Sequence, residues 1–368
     1  MVMKQRYLAV LLLVLGFLSC SDDPAVKTFE DRDLTDIEYN PQTLEINYPA
    51  TFPRLEQPQD NIMTVDGVEL GRHLFYDPIL SADSTMSCAS CHFQSSSFTD
   101  NLAVSTGIDD IAGTRSSMSL INAGFYNTGL FWDGRADNLE DQALLPVEDP
   151  IELHDTWPNV VFKLQCTDNY PVMFRKAFGI EKSSEITKEL AAKAIAQFER
   201  SMVSSGSSKY DRVIAGKDVF TEQELMGFEI YFDISEDLPD GECFHCHNEP
   251  LLTTNEYLNN GLDAAATFED FEDLGRGLVT QISIDNGTFR VPTLRNIVHS
   301  APYMHDGRFE TLEEVLDHYN SGGQLSPNKH PLIVPLGLTQ EHLDALMAFL
   351  HTLTDEEFMN NPSYADPN

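Results

Sequence analysis

Apolar positions along this chain repeat with helical rather than strand spacing. Leu70, Leu74 and Phe75 form a stripe that stops at Asp77-Pro78. Leu190, Ala194, Phe198 and Met202 lie on one face of a strong helix between Ile186 and Met202, with Thr187 placed to cap it. Thr221 to Glu224 is a capping box that opens a helix with Leu225, Phe228 and Phe232 facing inward. Thr311 to Glu314 is a second box, and its helix carries Leu312, Val315, Leu316 and Tyr319 inward before ending at Gly322-Gly323. Behind Thr339, a last stripe runs through Leu343, Leu346, Met347 and Leu350, and Leu139 to Leu145 reads as a short helix. Gln94 to Arg115 and Asn255 to Asn286 are polar and glycine-punctuated, and read as loops. No alternating pattern of useful length occurs, so an all-α fold is predicted.

The ends of the chain differ from this pattern. Lys4 and Arg6 precede an apolar run, Tyr7 to Leu18, that is too short to span a membrane. Ser19-Cys20 then resembles a bacterial lipoprotein signal, with Cys20 carrying the lipid; an ordinary cleaved signal and an uncleaved anchor are the alternatives. All three place the protein outside the cytoplasm, in the bacterial cell envelope on the periplasmic side or the surface. The expected organisation is a leader (1–19), an acidic and proline-containing tether (20–60), a first domain (61–205), a second (206–357) and a tail (358–368). The boundary falls in the Ser/Gly-rich stretch 204–208. A length of 368 residues and 42% hydrophobic content suit two cored domains. The formal net charge of -36 argues against nucleic acid and against docking on anionic lipid by charge. It fits a basic protein partner, or simply solubility.

Candidate chemistry concentrates in the cysteines. Cys88-Ala89-Ser90-Cys91-His92 and Cys243-Phe244-His245-Cys246-His247 are two copies of one frame, and together use four of the six cysteines. Two thiols at this spacing add across the vinyl groups of a haem, and the adjacent histidine becomes an iron ligand. A four-thiolate zinc site, or two redox dithiols, leaves both histidines unexplained. The cofactors expected are two haem c groups, one per domain. Trp132 sits in the aromatic, glycine-containing stretch Phe125 to Arg135, where it reads either as a core ring or as the edge of a pocket. His73 reads as a surface or propionate-bonding residue; His330, His342 and His351 read as surface or cap residues, and Cys166 is left over without a role.

At these motifs the chain resembles the bacterial di-haem cytochrome c peroxidase and MauG family. The stretches that carry the resemblance are Leu70 to Arg72, Phe75 to Pro78, both haem motifs, Phe131 to Arg135, Pro292 to Asn296 and Ala301 to Gly307. The resemblance implies two cytochrome c-like domains. The first haem meets hydrogen peroxide and the second relays electrons from a small electron-donor protein, or takes them from side chains of a partner protein substrate. It maps the tryptophan between the haems to Trp132. The peroxide-pocket glutamine falls at Gln142, the pocket proline at Pro146 and the acid–base glutamate at Glu152. In the peroxidase branch a distal histidine follows the first haem motif; here none occurs between His92 and His154, so the first iron is expected to be open at rest. Where that branch has a methionine ligand on the second haem, this chain has Tyr319, as MauG has tyrosine, with His318 the neighbouring candidate. Backbone oxygens of Ser300 and Pro302 match family calcium ligands, but the family's asparagine falls near Ser116, which puts the ion in doubt. The rival reading, a plain electron-transfer cytochrome, leaves Glu152 without a role.

Overall fold

A computed structural model describes the backbone of residues 19–22 and 25–28 and the whole of residues 30–367. The leader and the side chain of Cys20, on which the lipid anchor rests, lie outside the described residues. Regular structure is mostly helical: α1 (Val65–Tyr76), α2 (Leu139–Gln142), α3 (Leu145–Glu148), α4 (Trp157–Gln165), α5 (Tyr170–Phe178) and α6 (Lys188–Ser201) precede α7 (Lys209–Ile214) and α8 (Glu222–Phe232). After these come α9 (Gly277–Thr280), α10 (Leu312–Ser321), α11 (Gln340–His351) and α12 (Glu356–Met359). Among the described residues sheet is confined to two small antiparallel pairs, β1 (Ser19–Asp22) with β2 (Ala25–Thr28), and β3 (Tyr257–Leu258) with β4 (Phe289–Arg290). Among the described residues no helix is long and apolar enough to cross a membrane.

The two lobes are built on the same helix crossing. In the first, α1 meets α6 so closely that a Cβ on Gly71 would stand 1.9 Å from the Ala194 carbonyl oxygen. In the second, α8 meets α11, and a Cβ on Gly227 would stand 2.0 Å from the carbonyl oxygen of Ala345. One turn further along, Phe75 packs edge-on against Phe198 at 5.3 Å, and Tyr231 packs on Phe349 at 4.9 Å. A glycine followed four residues later by an aromatic, crossing an alanine followed four later by phenylalanine, thus occurs twice. Any side chain at either glycine would push the crossing apart.

Several expectations need correction. Leu225 was expected to face inward but is 45% exposed; α8 buries Gly227, Ile230 and Tyr231 instead, because the tight approach at Gly227 sets which face meets α11. The short helix expected over 139–145 is two helices, α2 and α3, with Pro146 in the first turn of α3. Residues 30–60 are no tether: Leu34 is fully buried in the first core, and Phe52 and Leu55 are buried against Phe125. An extended strap buries residues at irregular intervals, so it leaves no period in the sequence. The chain end is also packed: Phe358 and Tyr364 are buried against Phe98 of the first lobe.

Candidate functional site

Each lobe encloses a cavity, of about 1730 Å³ in the second and about 1820 Å³ in the first, counting their open mouths. The first is lined by Cys88, Cys91 and His92 together with Gln142, Pro146 and Glu152. The second is lined by Cys243, Cys246, His247, Tyr319, Ser300 and Pro302. The two Cys pairs therefore stand in separate cavities, and neither pair is joined in a disulfide. That separation excludes a shared four-thiolate zinc site. Trp132 and Tyr126 line both cavities, so one wall serves the two.

The histidines are set as haem ligands require. His92 Nδ1 lies 2.7 Å from the Phe98 carbonyl oxygen, and His247 Nδ1 lies 3.0 Å from that of Pro292. A carbonyl partner holds the proton on Nδ1 and leaves Nε2 free for a metal. Burial pushes the pKa of both imidazoles down, that of His247 to about 4, so both are neutral donors. Thiol pairs, a neutral imidazole and an apolar hollow in each lobe fit covalently attached haem.

Around the first cavity, polar groups converge. Burial pushes the Glu152 carboxyl up to about 7, with Asp149 adding to the shift and Arg135 opposing it. Gln142 Oε1 is buried without a hydrogen-bond partner. The loop after the first motif is tied to this corner: Ile108 N–H donates to the Glu152 carbonyl (3.0 Å), and His154 pairs with Asp109. A Cβ on Gly107 would stand 2.3 Å from the Ile151 carbonyl oxygen, so only glycine lets the loop come this close. His92 is the one histidine in the lining of this cavity.

The turn carrying Trp132 is clasped from the second lobe. Its indole Nε1 donates to the Ser116 carbonyl at 2.9 Å, and the Arg290 N–H donates to the Trp132 carbonyl at 2.8 Å. Arg115 bridges Asp133 (2.6 Å) and Asp273 (2.7 Å), and Arg276 donates to the carbonyls of Asp133 and Gly134. This turn has a counterpart. Leu130 and Ala136 close it by a backbone bridge, as Tyr303 and Phe309 close the turn before α10. Asp133-Gly134-Arg135 and Leu139-Glu140 repeat as Asp306-Gly307-Arg308 and Leu312-Glu313. In that register Trp132 matches His305, and Pro146 matches Tyr319. The position that offers a phenol to the second cavity offers the first a side chain with no donor atom.

Tyr319 lines the second cavity, whereas His318 turns away and its Nε2 meets the Asn260 carbonyl at 3.1 Å. Burial pushes the free Tyr319 phenol up to about 12, with the Asn260 amide opposing, so only a bound cation would hold it as phenolate. His330 also lines this cavity, which corrects its reading as a plain surface residue; the irregular loop that carries it left no signal. His342 completes the capping box of α11, its Nδ1 accepting from the Thr339 N–H at 3.3 Å, and His73 pairs with Glu69 at 3.3 Å. Calcium fits poorly. Ser116 Oγ donates to the Met304 carbonyl (3.0 Å), and Asn101 turns its amide nitrogen to the carbonyls of His299 and Ala301. That leaves the backbone oxygens of Ser300 and Pro302, too few for an ion that takes about six to eight.

Comparison with known proteins gives a consistent answer. Residues 65–219 match the family model described as di-haem cytochrome c peroxidase. The chain is 34% identical to the methylamine utilization protein MauG of Methylorubrum extorquens, over 83% of this chain and 84% of that one. It is 33% identical to the cytochrome c551 peroxidase of Nitrosomonas europaea, over 79% and 81%. Among solved structures, a MauG-like protein associated with microbial copper homeostasis superposes with a TM-score of 0.80 at 34% identity, covering 88% of this chain and 99% of that one.

Proposed function

The chain belongs to the di-haem cytochrome c peroxidase and MauG family of oxidoreductases acting on peroxide, and from that premise we propose that it reduces hydrogen peroxide in the first cavity with electrons relayed through the second. Cys88 and Cys91 would hold the first haem, with His92 as a ligand to its iron; Cys243 and Cys246 would hold the second, with His247 and Tyr319 as ligands. The haem, when bound, supplies the redox chemistry that breaks the O–O bond.

The chain's own residues manage protons and placement. Glu152 takes the proton from the inner peroxide oxygen and returns it to the leaving oxygen, a task suited to a carboxyl with a pKa of about 7. Gln142 turns its unpartnered Oε1 on the peroxide O–H. Pro146 closes the pocket without competing as a ligand. Trp132, in the wall common to both cavities, carries oxidising equivalents between them. The observation that carries the reading is this convergence of Glu152 and Gln142 on a cavity that has no second histidine in its lining.

The electrons come from a small redox protein. A second reading, oxidation of side chains on a partner protein, is favoured by Tyr319, a hard anionic donor that stabilises high iron oxidation states where a thioether would not. Export to the cell envelope, with or without lipid on Cys20, belongs to either reading. The test adds peroxide to the fully ferric holoprotein without donor and follows both haem spectra. Immediate change at both haems is expected. No change until the protein is half-reduced would sink the open first site.

A further inference from the structure

One buried acid in the first lobe has no part in the scheme above. Glu199, on α6, is 4% exposed, and its Oε2 has no hydrogen-bond partner. It lines the first cavity together with Ile195, one turn earlier on the same helix face. The charged groups acting on it are Arg200, beside it on α6, and Glu140 on α2. These two satisfy each other, with Arg200 Nη2 at 3.0 and 2.9 Å from the two Glu140 oxygens. Glu199 is left facing the hollow.

The fold itself does not ask for an acid here. The Gly–Ala crossing puts Ala194 in register with Ala345, and hence Ile195 with Leu346 and Glu199 with Leu350. Leu346 and Leu350 line the second cavity at the matching place. An apolar residue therefore satisfies the packing, and an orphaned carboxyl is retained only where peroxide is handled. A lone buried carboxylate is costly unless it is neutralised by a proton or a partner.

We infer that Glu199 is a second proton site of the first cavity, taking up a proton when an electron arrives there and releasing it when the electron leaves. Reduction of one peroxide to two waters consumes two electrons and two protons. Glu152 relocates a proton that peroxide already carries, so the incoming protons need another holder. One electron entering from the donor is matched by one proton moving from solvent to the Glu199 carboxylate, and that proton is available to the oxygen that receives the electron. Burial pushes the Glu199 carboxyl up to about 8, with Arg200 opposing and Glu140 adding, so the resting group is a carboxylate able to take up a proton once the pH passes about 8.

The inference rests on the reading of the first cavity as a haem site. The experiment is a potentiometric titration of the first haem against pH in the di-haem protein, for the wild type and for Glu199→Gln, Glu199→Leu and Glu152→Gln. In the wild type and in Glu152→Gln the potential should fall as pH rises around 8, by at most about 59 mV for each tenfold change in proton activity. In both Glu199 variants it should be level above about pH 8, where Glu152 has finished titrating. A slope that persists there in Glu199→Gln, or vanishes there in Glu152→Gln alone, overturns the inference. Should the Glu199 variants fail to fold, infrared difference spectra of the wild type decide it: reduction should bring up a protonated carboxyl band, and its absence overturns the inference. Failure of the haem reading would look different, as a protein lacking covalent haem on Cys88 and Cys91.

Discussion

Replacing Phe358 by alanine tests how the chain end governs the first haem. Phe358 is 1% exposed, with its ring 5.9 Å from Phe98 and 5.3 Å from Tyr364. Truncating a buried phenylalanine costs about 3–5 kcal/mol. The segment is also held by the buried Met359 and Tyr364 and by a few polar contacts. Arg72 donates to the Ala365 carbonyl (2.7 Å), Tyr76 to that of Tyr364 (2.6 Å), Gln94 to that of Asn361 (2.8 Å), and Tyr364 to that of Ser201 (2.8 Å). Each is worth about 0.5–1.5 kcal/mol net, and more for the charged donor. The loss is as large as the sum of these bonds, so the segment should open far more often, held mainly by Met359 and Tyr364, while both lobes stay folded. Phe98 then loses the ring that backs it. Its φ is 61°, a strained value for phenylalanine, and its carbonyl is the one that faces His92 Nδ1. A weakened hydrogen bond there, on the order of 1 kcal/mol, should raise the first haem's potential by ~40 mV. Hydrogen exchange would show opening over 356–367, and spectroelectrochemistry would report each haem. A released segment with an unshifted first haem, or an equal shift at both haems, would refute the reasoning.

Four other outcomes are expected. Glu152→Gln should slow the peroxide reaction by about 10²–10⁴-fold; the wild-type rate should decline as pH falls below about 7, where the carboxyl becomes protonated, and the variant's should not. Tyr319→Phe should change the ligand-field bands of the second haem alone, and an unchanged spectrum would remove Tyr319 as a ligand. Trp132→Phe should leave the first haem reacting with peroxide but slow the response of the second, read by stopped flow. Asp355→Ala should cost several kcal/mol in denaturant titrations, because the fully buried carboxylate takes hydrogen bonds from Ser204, Ser205 and Ser207 and from the Phe358 N–H. Burial pushes its pKa up, but those bonds outweigh it and hold the carboxyl below its usual range. Its contribution is therefore present above the unfolded-state pKa and lost as pH falls through the folded one, which wild-type acid titrations should display and Asp355→Ala should not.

The helices with caps and regular stripes were legible in the sequence: Thr187, Thr221, Thr311 and Thr339 each cap the helix expected of them. Helices α4 and α5 were missed because each has only nine residues, too short for a stripe to stand out from surrounding polar segments. The haem frames were legible because their chemistry demands fixed spacing. Glu152 and Gln142 were reached only through resemblance, since what distinguishes them is a cavity, and cavities join residues far apart in the chain. Glu199 lay in plain view on a well-marked helix. Its meaning required knowing which face of α6 borders the first hollow. The repeated Gly–Ala crossing was also present in the letters, but its two parts are separated by a whole lobe.

The wall that Trp132 and Tyr126 give to both cavities bears on how far the halves can be taken apart. Cutting the chain in the stretch 204–208 would leave each half with a hollow open to water along that side. The first half would also lose Phe358 and Tyr364, which come from the far end of the chain. Neither fragment should be a usable single-haem protein. Anyone wishing to simplify this molecule to one redox centre would do better to silence a haem in place, by changing Cys243 and Cys246, than to shorten the gene.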